Sequence, residues 1–230
     1  MLLPGAAEGG EFGKKERKIT MENYISINGE KIGLTEKQVE RIKGSLDIWK
    51  VKLADTAPGD IVKVGKHEFI VLEHREEGTA MIRKELLQEN VVFGSNNNYA
   101  GSHVEVICIE FATELAAIVG EDNLILHTVD LTSDDGLKDY GTVRRKASLL
   151  TADMYRRFVQ ILDKHKLDAW WWLATPYSTP AHENDHWVKC VSPSGRIRNG
   201  NCISDVNCGV RPFCILKSNI FVSKRKEKQS

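Results

Sequence analysis

The alternation of apolar and polar residues along the chain predicts a mixture of short strands and helices. Three apolar runs in residues 61–82 are separated by glycine-containing turns, which predicts an antiparallel meander of three strands. Apolar residues recur at helical spacing in residues 102–119 and again in residues 151–166. Each of these two segments is therefore expected to form a helix, and Val159 is expected to face inward in the second.

The residues before this region predict a separate hairpin and helix. The sequence "YISINGEKI" (residues 24–32) places Asn-Gly between alternating apolar residues, which is the pattern of a tight β-hairpin. Thr35 is followed three residues later by Gln38, which predicts a capping box at the start of a helix.

After residue 167 the sequence becomes rich in Gly, Ser, Asn and Cys, which predicts a loop-rich region with brief strands. The run "WWWLATP" (residues 170–176) predicts a strand whose three adjacent indoles alternate between its faces, so one or two of them belong to the core. The sequence "GVRPFCIL" (residues 209–216) predicts a closing strand, and Pro212 is expected to restrict it to a sheet edge or a bulge.

These patterns indicate an α+β fold with a mainly antiparallel sheet, two main helices and a loop-rich C-terminal β region. With 230 residues and 41% hydrophobic residues, the chain is able to bury a sizeable core. The expected divisions are a flexible extension (1–20), a hairpin-helix segment (21–52), a main domain (53–222) and a charged, frayed tail (223–230).

Composition and charge narrow the range of partners. Lys and Arg total 32, and Asp and Glu also total 32, so the chain has no overall basic field and nucleic acid is not expected as a partner. No segment reaches the roughly 18 apolar residues that span a bilayer, and the N-terminus has no secretory hydrophobic region. We therefore expect cytoplasmic synthesis without membrane insertion, and the sequence leaves the oligomeric state open.

A pattern typical of zinc proteases, H-E-x-x-H, occurs at residues 182–186. A site of that kind requires His182 and His186 on one face of a helix, with the glutamate between them activating a zinc-bound water. The segment follows Pro180 and is rich in turn-forming residues, which predicts a loop. No zinc site is therefore expected here.

Three further groups of polar residues predict no metal or cofactor site. The five cysteines show no C-x-x-C spacing and are expected to be free thiols. Asp130, Asp134 and Asp135 lack the glycine and glutamate of a calcium-binding EF-hand loop, which indicates a solvated turn. The basic residues 144–146 are expected to form a solvated face.

Several stretches together resemble a bacterial and phage domain family of unknown function that is common in gut Firmicutes. The similarity covers residues 58–216 and rests mainly on "WWWLATP", which is similar to a WWLRSP-like stretch of that family, and on "GVRP" at residues 209–212. This ending also resembles the C-terminal region of formylglycine-generating enzymes and of the variable proteins of diversity-generating retroelements. The resemblance implies a C-type-lectin-like fold whose scaffold includes Trp171, Trp172, Gly209, Arg211 and Pro212.

A bias in composition agrees with the resemblance to retroelement variable proteins. Diversification at Asn-type codons does not produce Lys, Glu, Gln, Met or Trp, and none of these occurs in "RIRNGNCISDVNC" (residues 196–208). The resemblance thus implies a variable surface that binds a protein or glycan ligand. The residues expected to contribute to this surface are Arg196, Arg198, Asn199, Asn201, Cys202, Ser204, Asp205, Asn207, Trp187, His182 and His186.

The expected function is therefore non-enzymatic ligand binding by variable side chains on a rigid scaffold, in a protein of phage or gut bacterial origin. One alternative is an enzyme, either a thiol oxidase similar to formylglycine-generating enzymes or a zinc hydrolase. The active-site cysteines of the former are separated by four residues, whereas Cys202 and Cys208 are separated by five. The other alternative is a structural component of a phage particle. Besides the cytoplasm, a phage particle is therefore the second expected location of the protein.

Overall fold

A computed structural model of the protein describes residues 24–27, 29–45 and 48–225. The contacts within the chain separate two units, Met1–Leu46 and Asp47–Ser230. The predicted extension at residues 1–20 and the last part of the predicted tail, residues 226–230, lie outside the described residues.

The described residues form three α-helices, sixteen strands and four short 3-10 helices. The α-helices are α1 (Glu36–Ser45), α2 (His103–Val119) and α3 (Ala152–Leu162), and the 3-10 helices are Leu53–Asp55, Glu121–Asn123, Asp163–His165 and Pro180–His182. The first eight strands are β1 (Tyr24–Ile27), β2 (Glu30–Gly33), β3 (Ile48–Lys52), β4 (Ile61–Val64), β5 (His67–His74), β6 (Thr79–Arg83), β7 (Leu124–Ile125) and β8 (His127–Asp130). The remaining strands are β9 (Thr142–Arg145), β10 (Ala147–Ser148), β11 (Trp170–Pro176), β12 (Trp187–Val191), β13 (Ile197–Asn201), β14 (Cys208–Gly209), β15 (Phe213–Leu216) and β16 (Phe221–Arg225).

The first unit contains the predicted hairpin and helix. Strands β1 and β2 pair antiparallel, and Gly29 in the turn between them has a φ of 87°, a conformation that glycine adopts without a steric penalty. At the start of α1, the backbone N–H of Gln38 donates to the hydroxyl of Thr35 (3.3 Å), and the backbone N–H of Thr35 donates to the amide oxygen of Gln38 (2.9 Å). The predicted capping box is therefore confirmed.

The second unit is built on an eight-stranded sheet with antiparallel pairing. The strand order is β10-β15-β6-β5-β4-β16-β3, and β7 pairs with β15 beside this path. Strands β4, β5 and β6 follow one another in the sheet as the predicted meander. A four-stranded sheet with the order β13-β12-β11-β14 and a two-stranded ribbon of β8 and β9 complete the unit. The α+β class with mainly antiparallel sheets is thus confirmed.

The central strands β5, β6 and β15 of the eight-stranded sheet are buried on both faces. On β5, Phe69 and Val71 pack against Phe111 and Leu115 of α2, whereas the alternate residues Ile70 and Leu72 belong to the cluster that contains α3 and part of β11. Residues of β6 and β15 divide between the two clusters in the same alternating way. This burial explains why these strands are continuous apolar runs instead of alternating apolar and polar residues.

Helix α3 presents a narrower apolar face than the spacing predicts. Thr151 is the N-cap residue of the helix, and its hydroxyl oxygen accepts a hydrogen bond from the backbone N–H of Met154 (3.2 Å). Tyr155, Phe158 and Leu162 are buried, as their i, i+3 and i+7 spacing predicts. The prediction that Val159 faces inward is wrong, because its side chain lies on the exposed side of the helix.

The three adjacent tryptophans separate as the strand alternation predicts. Trp171 packs in the cluster with α3, Trp172 packs in the opposite cluster with part of α2, and Trp170 is partly exposed. The indole N–H of Trp172 donates to the carbonyl oxygen of Val91 at 2.7 Å, so this buried polar atom is satisfied. Two of the three indoles therefore anchor β11 between two cores.

Two expectations for the C-terminal strands are corrected. Strand β15 begins after Pro212 and has neighbours on both sides, so it is neither an edge strand nor a bulge; the missing proline N–H falls outside its ladder. Residues 223–225, expected to begin a frayed tail, pair with β3 through β16. Strand β3 consequently belongs to the second unit and not to the predicted hairpin-helix segment.

Gly209 and Arg211 fix the crossing between the two sheets. The guanidinium of Arg211 is buried, and it donates to the carbonyl oxygens of Arg83 (2.8 Å) and Lys84 (2.9 Å). Burial lowers its pKa to about 10. At Gly209, an added Cβ would lie 2.5 Å from the Cδ1 atom of Leu86 and 2.7 Å from the backbone oxygen of Gln88. The side chain of Leu86 and the backbone of Gln88 therefore leave no room for a side chain at residue 209.

We predict that Gly209→Ala lowers the free energy of unfolding by about 1–3 kcal/mol, because the new methyl group has to displace the backbone of Gln88. Asn207→Ala, an exposed change in the preceding turn, is the matched control and should alter the free energy of unfolding by less than about 0.5 kcal/mol. Urea unfolding of both variants measures the difference. Equal stability of the two variants would contradict the close approach.

Candidate functional site

Strands β12 and β13 form a hairpin whose register brings one group of polar and aromatic side chains together. Trp187 lies opposite Asn201, and Lys189 lies opposite Asn199. Directly opposed residues of an antiparallel pair project from the same face, so these four side chains share one face of the hairpin. Tyr177 lies beside them, because the Nζ atom of Lys189 is 5.1 Å from the centroid of its ring. We refer to these five residues as the aromatic face.

The aromatic face combines exposed rings with a buried cation. Trp187 and Tyr177 are 41% and 40% exposed, whereas Lys189 is buried and forms an ion pair with Asp134 at 2.7 Å. Arg156 also binds Asp134, at 2.9 Å. Partial burial opposes ionisation of Asp134, but hydrogen bonds from Lys189 and Arg156 outweigh it and hold the pKa of this carboxyl below its usual value. The rings therefore lie above a fixed charge network.

The loop formed by residues 177–186 is held from beneath by Asn97, which is fully buried. The side-chain amide nitrogen of Asn97 donates to the carbonyl oxygens of Ser178 (3.0 Å), Trp187 (3.1 Å) and Asn184 (3.4 Å). Its side-chain oxygen accepts a hydrogen bond from the hydroxyl of Tyr140 at 2.7 Å. One side chain thus fixes both ends of the loop and the first residue of β12.

Asp135 ties the outer part of the same loop to the preceding turn. Its carboxylate accepts hydrogen bonds from Ser133 and from Ser178 (2.6 Å), and it pairs with the Nδ1 atom of His182 at 3.1 Å. The two serine hydrogen bonds, with a smaller contribution from His182, hold the pKa of Asp135 well below its usual range. Asp134 and Asp135 lie in an exposed turn, as the sequence predicts, and the side chain of Asp135 also holds the loop.

The H-E-x-x-H segment is a loop in the structure, as predicted. Residues Pro180–His182 form a single 3-10 turn, and Glu183 has a φ of 55°, which ends any helical continuation. Both His182 and His186 are exposed, and His186 pairs with its neighbour Asp185 at 2.9 Å. Within the described part of the chain, no three His, Cys, Asp or Glu side chains converge closely enough to hold a metal ion.

Ser178, His182 and Asp135 contain the residue types of a hydrolytic triad but not its connections. In a triad the serine hydroxyl donates to the histidine, and the histidine donates to the carboxylate. Here the buried hydroxyl of Ser178 donates directly to Asp135, which His182 contacts on the same oxygen. The arrangement anchors a loop and leaves no activated hydroxyl among these three residues.

The turn that follows β13 uses two of the predicted binding residues to fold itself. The side-chain oxygen of Asn201 accepts hydrogen bonds from the backbone N–H groups of Ile203 (3.0 Å) and Ser204 (3.1 Å). The carboxylate of Asp205 accepts the backbone N–H of Asn201 at 2.7 Å. The side-chain oxygen of Asn201 and one carboxylate oxygen of Asp205 are therefore already bonded within the turn, which makes these residues supports for it.

The same turn exposes two apolar residues that the sequence analysis does not select. Ile203 is 51% exposed and Val206 is 49% exposed. Because Asn201 lies opposite Trp187, the turn begins at the end of the hairpin where Trp187 is located. A signal for them exists in the sequence, since both are branched apolar residues within an otherwise polar turn.

Cys202 does not contribute to an exposed surface, because it is fully buried. Its backbone N–H donates to the carbonyl oxygen of His186 at 2.8 Å and extends the hairpin by one pair. Burial raises the pKa of Cys202 to about 11, and a hydrogen bond with Cys190 together with burial raises the pKa of Cys208. All five cysteines are free thiols, as their spacing predicts, and all five are buried.

The remaining predicted residues do not all lie on one surface. Arg198 is opposite Cys190 and therefore projects from the face of the hairpin that carries the core, at its exposed edge. Arg196 lies at the turn end of the hairpin, away from Trp187. Asn199 is exposed on the aromatic face, and Ser204 and Asn207 are exposed in the following turn. The predicted set thus divides between two faces and two ends of one hairpin.

Comparison of the chain with protein-family models, with curated proteins and with solved structures found no match. The C-type-lectin-like fold therefore stays a prediction. Among the described residues, no helix has both the length and the apolar character needed to cross a membrane.

We predict that Asn97→Ala lowers the free energy of unfolding by about 2–4 kcal/mol, because buried carbonyl oxygens and the hydroxyl of Tyr140 lose their partner. Asn96→Ala is the matched control, since Asn96 is exposed and bonds only locally to Asn98 (2.9 Å), and it should cost less than about 1 kcal/mol. Urea unfolding compares the two variants. Equal losses would show that Asn97 does not hold the loop.

We predict a pH-dependent difference in stability between the wild type and Asp135→Asn. A carboxyl with a depressed pKa in the folded state contributes stability above the pKa of the unfolded chain, which is about 4 for aspartate, and this contribution is lost as the pH falls further. The wild type should therefore exceed the variant in unfolding free energy at neutral pH, and the excess should shrink below about pH 4.

Ser178→Ala removes one of the two serine donors and should reduce the same pH dependence in part. Urea unfolding at a series of pH values measures both variants. A difference between wild type and Asp135→Asn that does not change with pH would contradict the assigned contacts.

Proposed function

We propose that the protein binds a ligand, without catalysing a reaction, through the aromatic face and the adjoining turn of residues 201–207 on a C-type-lectin-like scaffold. The observation that carries the proposal is the exposure of Trp187 and Tyr177 on a backbone that buried Asn97 holds in place. Large aromatic side chains that are fixed before binding provide contact area at a small cost in conformational entropy.

The apolar character of the turn favours a protein ligand over a glycan. Ile203 and Val206 offer branched aliphatic surface, and Trp187 offers an aromatic surface at the same end of the hairpin. A centre of aromatic and aliphatic residues surrounded by polar groups is the usual composition of a protein–protein interface. Asn199, Ser204 and Asn207 provide the polar margin.

The distribution of supports and exposed positions is consistent with a diversified surface, as in the retroelement variable proteins that the sequence resembles. The backbone of residues 201–207 is held by Asn201, Asp205 and the buried Cys202, while Asn199, Ser204 and Asn207 are exposed. Substitution at exposed positions usually changes the free energy of unfolding by less than about 0.5 kcal/mol. Ligand preference can therefore vary while the fold persists.

The described geometry weighs against the thiol-oxidase alternative. Cys202 and Cys208 are both buried, and their pKa values are raised, so neither thiol is disposed to ionise as a reactive thiolate. The zinc-hydrolase alternative requires a helix at residues 182–186, and that segment is a 3-10 turn followed by a left-handed residue.

The proposal is tested by screening the immobilised protein against a displayed library of random peptides and against a glycan array. We expect a class of selected peptides to bind the wild type and to bind Trp187→Ala at least about tenfold more weakly, because truncating a central aromatic residue commonly costs 1.4 kcal/mol or more. The double variant Ile203→Ser with Val206→Ser should bind the same peptides more weakly than the wild type does, without unfolding.

Val159→Ala is the matched control, since it removes an exposed apolar side chain from α3 and should leave peptide binding unchanged. The proposal is contradicted if no selected peptide binds Trp187→Ala more weakly than the wild type. Saturable binding to the glycan array that depends on Trp187 would instead assign the surface to a glycan.

A further inference from the structure

Helix α2 has an apolar strip on its exposed side. Val106, Ile109, Thr113 and Ala117 recur at intervals of three or four residues and are all exposed. The hydroxyl of Thr113 donates to the carbonyl oxygen of Ile109 at 3.1 Å, so its polar atom is already bonded to the helix. The strip from Val106 to Thr113 is about 10 Å long at the rise of an α-helix. An exposed helix side usually carries charged residues, so this apolar strip is a candidate binding surface.

A groove of about 530 Å³ adjoins the strip. Ile109 and Ala112 of α2 line one side, and Leu126 and Ala147 line it from the segments on either side of the β8–β9 ribbon. Ile109 and Leu126 remain 43% and 41% exposed, so the apolar lining is open to a second molecule. The volume is sufficient for several apolar side chains.

The basic wall of the groove contains one cation without a partner in the described residues. Arg145 binds Glu105 through two nitrogen atoms, each 2.9 Å from the same carboxylate oxygen, and Lys146 pairs with Glu121. The guanidinium of Arg144 is exposed, and it forms no hydrogen bond or ion pair within the described ranges of the chain. The cluster at residues 144–146 is therefore not a uniformly solvated face, and its free charge is a single guanidinium at the margin of an apolar groove.

We propose that this groove and the apolar strip of α2 bind a segment of a partner protein that presents large apolar side chains and at least one carboxylate. The carboxylate pairs with Arg144, and the apolar side chains cover Ile109 and Leu126. Arginine, methionine and aromatic residues are enriched in protein–protein interfaces. A protein segment fits better than a small carboxylate, because the strip continues to Val106 beyond the lining of the groove.

The proposal is tested by selecting a displayed library of random peptides on the whole protein and sorting the selected peptides by their binding to groove variants. We expect a class of peptides that contains several large apolar residues and at least one Asp or Glu. These peptides should bind Arg144→Glu and Ile109→Asp at least about tenfold more weakly than the wild type, and should bind Arg144→Lys with a smaller loss.

Trp187→Ala is the control variant, since Trp187 does not line this groove and the selected class should bind it as tightly as the wild type. Because both groove positions are exposed, the variants should unfold at the same urea concentration as the wild type. The proposal is overturned if every selected peptide binds Arg144→Glu and Ile109→Asp as tightly as it binds the wild type. It is also overturned if the peptides that bind these variants more weakly carry no carboxylate. It is also overturned if sedimentation shows a wild-type dimer that Ile109→Asp dissociates, because the occupant is then a second copy of this chain.

Discussion

The buried side chain of Asn97 is the contact on which the candidate binding surface depends. It joins residue 97 to three carbonyl oxygens that lie 81 to 90 residues later in the chain. An unpaired carbonyl or amide in the same place would cost the desolvation energy of a buried polar group, so the contacts are favoured together or lost together. The hydroxyl of Tyr140 completes the set. This amide therefore fixes both ends of the loop that precedes β12, and the contacts of Asp135 hold its outer part.

Different elements of the fold form the core and support the candidate binding surface. The central strands of the eight-stranded sheet are buried on both faces, while the smaller four-stranded sheet ends in an edge hairpin whose outer residues are exposed. Ion pairs of Asp134 with Lys189 and Arg156 fix the hairpin from below without using its exposed rings. Helix α2 serves the core with one side and exposes apolar residues on the other. Two surfaces of different character are thus carried by one core.

Local features of the sequence predict the meander, the hairpin, the helix caps and the alternation of Trp170, Trp171 and Trp172, because each depends on neighbouring residues. The candidate site is less predictable. Asn96, Asn97 and Asn98 are three consecutive asparagines in a polar stretch, and only the tertiary contacts show that Asn97 is the buried one. In the same way, the bias in residues 196–208 selects this hairpin as a candidate but does not show that Cys202 is buried or that Arg198 and Asn199 face opposite ways. Register and burial depend on residues far away in the chain.

Hydrogen exchange in residues 177–187 of the wild type is the most direct test of the claim that the aromatic face is formed before any ligand binds. Backbone N–H groups of Tyr177, His182, Glu183 and Asn184 all have carbonyl partners in the structure. The account predicts that these amides exchange slowly, with protection that approaches that of β12. Exchange at the rate of an unstructured peptide would contradict it, because the loop and the rings beside it would then have no fixed position to offer a ligand.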